Sequence, residues 1–121
     1  MAKKLFEGLR IVEVTVYQTG PLTTQAFSNL GAEVIKIETG SQMTGGPGGG
    51  APGVGTANAK ATNKLSVSLN FANPKGLEAA RRIIATADIF VENLAGHSLI
   101  RKGLGYEDLK KIKPDIIMLS T

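Results

Sequence analysis

The chain has 121 residues, a formal net charge of +4 and no cysteine. That is enough for one hydrophobic core and excludes a disulfide framework, a thiolate nucleophile and a zinc ribbon. With 42% hydrophobic and 20% charged residues it reads as a folded domain rather than a disordered one.

Aromatic residues amount to four phenylalanines, two tyrosines and no tryptophan, and the cationic side chains are scattered from Lys3 to the Lys110–Lys113 cluster. Such material stacks bases poorly, so a small polyanion is expected as partner and nucleic acid is not. No apolar run approaches the roughly 20 residues needed to cross a bilayer, and Met1-Ala2-Lys3-Lys4 leads straight into strand-like sequence. Neither a membrane partner nor a secretory route is expected, and the expected location is the cytoplasm.

In chain order, Leu9–Val16 is rich in branched residues and reads as a strand opened by Gly8. Thr19-Gly20-Pro21 starts a helix, with Pro21 suited to the first helical position and Thr19 or Gly20 as its cap. Leu22, Phe27 and Leu30 supply its apolar stripe, Gly31 ends it, and Glu33–Glu38 forms a second strand. A strand, helix and strand within about thirty residues make a βαβ unit, with parallel strands and a right-handed crossover. From Gly40 to Asn63 glycine, proline, alanine and threonine take over, and a mobile surface loop is expected. Ser66–Phe71 alternates strictly, with Val67, Leu69 and Phe71 on one face. Asn73-Pro74 caps a helix that turns Leu77, Ala80 and Ile84 inward, with Ile83 beside them, and Arg81 and Arg82 outward. A buried strand at Asp88–Glu92 follows, then a short helix near Ser98–Lys102 and another near Glu107–Ile112, stopped before Pro114. Asp115–Thr121 is apolar enough to sit inside a parallel sheet, an odd place for a natural domain to end, so the chain is expected to be a fragment.

This alternation predicts an α/β fold: an open, mostly parallel sheet with helices on both faces, as one domain over residues 1–121. Ligands in such folds sit beyond the carboxyl ends of the strands, which here means Tyr17–Gly20, Thr39 onward, Asn70–Asn73 and Glu92–Leu94. Gly48, Gly50 and Gly53 spell a dinucleotide fingerprint, but neither a strand nor a helix start flanks them and Pro52 interrupts, so a loop or lid is the better reading. Gln18 offers a donor and an acceptor at a strand-to-helix turn, where free amides could meet an anion or a carbonyl; a plain turn capped by Thr19 fits equally well. Asn93 reads as a turn cap, Arg101 as a solvated or phosphate-facing cation, and His97 as a turn residue without a carboxylate or hydroxyl at telling spacing. No nucleophile, acid–base pair or metal set emerges; on its residues the chain looks like a ligand-binding half.

Several strings nevertheless resemble one family. Leu9–Glu13 followed by Gln18-Thr19-Gly20-Pro21, Leu30–Glu38, Asn63-Lys64 with Ser66-Val67, Asn73–Gly76, Ala87–Asn93, Arg101–Leu109 and Pro114–Ser120 together are similar to the opening of class III CoA-transferases. That family includes formyl-CoA, carnitine and bile-acid-inducible CoA-transferases and α-methylacyl-CoA racemase. The resemblance covers almost the whole chain outside the glycine loop. It implies a Rossmann-like, incomplete amino-terminal portion of a larger fold, and for the full-length protein an interlocked homodimer using acyl-CoA and carboxylic acids. The family's nucleophile, an aspartate that forms an acyl anhydride and then an enzyme thioester, would lie beyond Thr121. By the same resemblance Gln18 and Thr19 approach the CoA tail, Leu69, Asn70, Phe71 and Ala72 surround the adenine, Asn93 and Leu94 contact the nucleotide, and Arg101 lies near its phosphates. Thr39, Leu65 and Leu94 stand where relatives carry basic or aromatic residues, which implies weaker CoA binding; a lost charge-assisted bond costs about 1.5–3 kcal/mol. No metal is implied, and this chain alone is expected to be inactive. A racemase-like fragment and a non-catalytic CoA- or nucleotide-binding module are the alternatives.

Overall fold

Strand β1, Arg10–Val14, lies at the centre of a parallel sheet, which accounts for its Ile-Val-Glu-Val run: every residue from Ile11 to Val14 is buried. A computed structural model describes residues 2–39 and 61–121, and the glycine fingerprint at Gly48–Gly53 lies outside them. Within the described residues β2 (Glu33–Thr39), β3 (Lys64–Leu69), β4 (Ile89–Glu92) and β5 (Ile117–Ser120) complete the sheet. Its order is β3-β2-β1-β4-β5, and all four pairings are parallel.

Helix α1 (Thr19–Asn29) covers one face, where Phe27 packs with Ile11, Ala32, Val34 and Val91. Helices α2 (Pro74–Ile84) and α3 (Tyr106–Ile112) cover the other, where Ala80, Ile84 and Leu109 pack with Val12, Val14, Ile37 and Phe90. Phe90, Ile84, Leu104 and Leu109 are fully buried there, each contributing about 1.5–3 kcal/mol. Val67, Leu69 and Phe71 share that face as their alternation predicts.

Several local expectations need correction. Of the stripe expected on α1, Leu22 and Leu30 are half-exposed and only Phe27 packs inward. Thr19 is the first helical residue of α1 and Gln18 its cap, so Pro21 stands third. This costs no hydrogen bond, because the amides of the whole first turn lack helical acceptors anyway. The Ser98–Lys102 segment is a 3₁₀ turn at Ile100–Lys102, preceded by another at Ala95–His97. Among the described residues β5 is an edge strand rather than an interior one, with Ile117 61% and Leu119 38% exposed. Its apolar run marks a strand built for cover on both faces, and only the face toward Phe90 and Leu109 has it here.

Candidate functional site

The path from β1 turns onto the face of α1, whereas the path from β4 turns onto the opposite face, toward α3. The gap between β1 and β4 is therefore the point where the winding reverses, the place at the carboxyl ends of the strands where open parallel sheets form their ligand crevice. Asn93, just past β4, spans it. Its Oδ1 accepts from the Val16 N–H at 2.7 Å, and its Nδ2 donates to the Val16 carbonyl at 2.8 Å. The side chain thus acts as a peptide group laid across the crevice, fixing the loop that carries Gln18 and Thr19.

Gly20 makes this approach possible: a Cβ there would stand 2.6 Å from Thr15 Cγ2 and 3.1 Å from Asn93 Cγ. Between them Tyr17 takes a φ of 59°, a left-handed conformation that an ordinary residue holds only where its surroundings impose it. Gln18 and Thr19 are exposed, and Gln18 makes no side-chain capping bond to the helix.

Leu94 follows Asn93 and is partly buried against the core, with its N–H donated to Glu92 Oε2 at 2.9 Å. It also lines a cavity of about 790 Å³ together with His97, Ile100, Tyr106 and Met118. Arg101 is exposed and donates to the Gly96 carbonyl, tying the two 3₁₀ turns together. Arg81, expected to point outward, instead reaches the carbonyls of Lys102 (3.1 Å) and Gly103 (3.4 Å), because these C=O groups at the end of a turn need donors. Loops from β1, β4 and the two turns are thereby joined into one rim.

The third group lies farther along. β3 is two strands from β1, about 10 Å at the usual strand spacing. Asn70 Oδ1 accepts from the Ala72 N–H at 2.9 Å, and Asn73 caps α2 by accepting from the Lys75 N–H at 2.9 Å. Phe71 is buried in the core and Leu69 packs against it, so these two can offer a ligand backbone atoms but not exposed side chains; Asn70 and Ala72 are exposed.

Glu13 anchors a buried ionic cluster that the sequence pattern does not announce. Glu13 is fully buried in β1 and meets Lys64 Nζ at 2.9 Å, Lys36 Nζ at 3.7 Å, and the hydroxyls of Thr15 (3.0 Å) and Thr24. Lys64 also donates to the Pro21 carbonyl and to Thr24, each at 2.8 Å, and Lys36 donates to the Thr15 carbonyl at 3.0 Å. Burial holds the Lys64 ammonium below the ordinary lysine range, against the pull of the Glu13 carboxylate. The available signal was a glutamate inside a central Val-Ile strand, which demands a countercharge. Among the described residues no three His, Cys, Asp or Glu side chains converge as a metal set, and no helix is long and apolar enough to cross a membrane.

Residues 6–121 match the model of CoA-transferase family III. The chain is 38% identical to succinyl-CoA:glutarate CoA-transferase of Mus musculus over 97% of its length, and 38% identical to formyl-CoA:oxalate CoA-transferase of Afipia carboxidovorans over 99%. It spans 28% and 29% of those relatives. Among solved structures, a CAIB/BAIF family protein from Brucella suis superposes with a TM-score of 0.79 at 30% identity, covering 98% of this chain and 33% of that one. Rv3272 from Mycobacterium tuberculosis gives 0.80 at 28%, with the same coverage.

Proposed function

Because this chain belongs to CoA-transferase family III, we propose that its sheet binds the nucleotide end of a CoA thioester along the carboxyl rim, as one part of an enzyme that moves CoA between carboxylic acids. The carrying observation is the clamp of Asn93 on Val16, which ties the loop after β1, bearing Gln18 and Thr19, to the loop after β4, bearing Leu94, at the reversal of the winding. In this reading Gln18 hydrogen-bonds the amide-bearing tail, the backbone from Leu69 to Ala72 borders the adenine, and Arg101 releases Gly96 to meet phosphate.

In this reading the nucleophile is an aspartate outside the chain. Its carboxylate attacks the thioester carbonyl and expels CoA thiolate, leaving an acyl anhydride; the thiolate then attacks the aspartyl carbonyl and releases the carboxylic acid. The 121 residues alone give no turnover, and the complete enzyme works in the cytoplasm as a homodimer. Titration calorimetry of the full chain with CoA tests the binding role. Affinity should fall with added salt and fall again in Arg101→Ala. Binding that ignores both salt and Arg101 contradicts the phosphate contact, and absence of binding contradicts the site.

A further inference from the structure

We infer that Lys36 and Lys64, joined through the buried Glu13 carboxylate, are positioning residues that hold the β1–α1 loop in its ligand-facing form. The inference rests on the proposed role of Gln18 and Thr19 in contacting CoA. Lys36 fixes the loop's entry by donating to the Thr15 carbonyl at 3.0 Å and the Thr15 hydroxyl at 3.2 Å. Lys64 fixes its exit by donating to the Pro21 carbonyl in the first turn of α1 at 2.8 Å. Its other two N–H groups go to Glu13 and Thr24, so each of its three donors has an acceptor.

The two lysines come from neighbouring strands. Glu13 and Lys36 are register partners across β1 and β2, and Lys64 opens β3 on the far side of β2. Three adjacent strands thus converge on the two ends of one loop. Such a brace has work to do, because Tyr17 at φ 59° is held in a conformation that relaxes once its surroundings loosen. The side chain of Lys64 is 1% exposed and that of Glu13 fully buried, so neither serves as a surface charge. Their carboxylate–ammonium contact anchors two lysines whose remaining bonds reach backbone carbonyls on either side of Gln18 and Thr19.

The test is residue-resolved amide hydrogen exchange on the full chain, together with CoA titration, for Lys64→Met and Lys36→Met. The reporters are the Val16 and Leu22 amides, bonded to Asn93 Oδ1 and the Gln18 carbonyl. Both should exchange at least tenfold faster in Lys64→Met beyond any acceleration shared by the Val12 and Phe90 amides, which report global opening, and CoA should bind about tenfold more weakly. Lys36→Met, which leaves Glu13 paired with Lys64, should accelerate Val16 more than Leu22, and it decides alone if Lys64→Met does not fold. Uniform acceleration across the sheet, unchanged loop exchange, or a loosened loop with unaltered CoA affinity would overturn the inference. Failure of the unaltered chain to bind CoA would instead remove the functional reading, leaving the exchange data to judge the brace.

Discussion

Asn93 and Val16, 77 positions apart in sequence, hold each other through two hydrogen bonds of 2.7 and 2.8 Å, one in each direction. The pair is partly buried, so truncating Asn93 strips both partners from a backbone unit that water reaches poorly. Asn93→Ala should therefore destabilise the chain by about 2 kcal/mol in urea unfolding. Asn93→Asp keeps the acceptor for the Val16 N–H but turns a second oxygen toward the Val16 carbonyl. It should not rescue stability at neutral pH, and should recover part of it below about pH 4, where a protonated carboxyl donates again.

Two glycines set how closely the rim packs. A Cβ on Gly76 would lie 2.1 Å from the Asn70 carbonyl oxygen, and one on Gly20 would strike Thr15 and Asn93. Backbone cannot step aside as the tip of a flexible side chain can, so Gly76→Ala should cost about 1–3 kcal/mol and displace the Asn70–Asn73 turn. Gly96 has a φ of +67° and open space around its missing Cβ. Gly96→Ala should cost about 1 kcal/mol, from backbone strain alone. Thermal unfolding of the two alanine variants separates clash from strain.

Lys64 gives the chain an alkaline signature. Its folded-state pKa lies below 10.5, chiefly through burial, so the unfolded chain holds the proton more tightly. Stability must then rise with pH across the interval between that lowered value and 10.5. The stability of the unaltered chain relative to Lys64→Met should accordingly increase as pH climbs through this interval and level off above it. Paired denaturation curves at stepped alkaline pH measure this directly, and a difference that falls with pH would mean that the Glu13 attraction outweighs burial.

The sheet was legible because its strands are rich in branched apolar residues or alternate strictly, and the segments between them carry strong punctuation, such as the Asn73 cap and the positive-φ stop at Gly103. The edge position of β5 was not, because Ile117 and Leu119 have the same composition as core residues. The candidate rim could be located from topology alone, yet which atoms are already engaged could not. Asn93 spends its amide on Val16, Asn70 accepts from the nearby Ala72 N–H, and Arg101 turns to Gly96, facts set by contacts distant in sequence or by loop geometry. Lys36 and Lys64 were hidden for a related reason. On a strand a lysine ordinarily marks the solvent face, and only the register of Lys36 with Glu13 and the contact of Lys64 with the same carboxylate show that these two turn inward.

Arg81 and Gly103 offer the sharpest test of how the Arg101-bearing turn is supported. The Arg81 guanidinium donates to the carbonyls of Lys102 and Gly103, and a Cβ on Gly103 would sit 2.8 Å from its Nη2. The arginine side chain is about one-third exposed, which weakens these bonds, so Arg81→Ala should cost about 1 kcal/mol. Arg81→Lys should recover less than half, since one ammonium cannot reproduce the fork that spans two carbonyls. Gly103→Ala carries two penalties, the strain of φ +70° and the collision with Arg81. The double variant removes the collision but keeps the strain, so its cost should be smaller than the sum of the two single costs. A double-mutant cycle in urea measures this coupling; simple additivity would mean that the guanidinium moves aside freely and does not brace the turn.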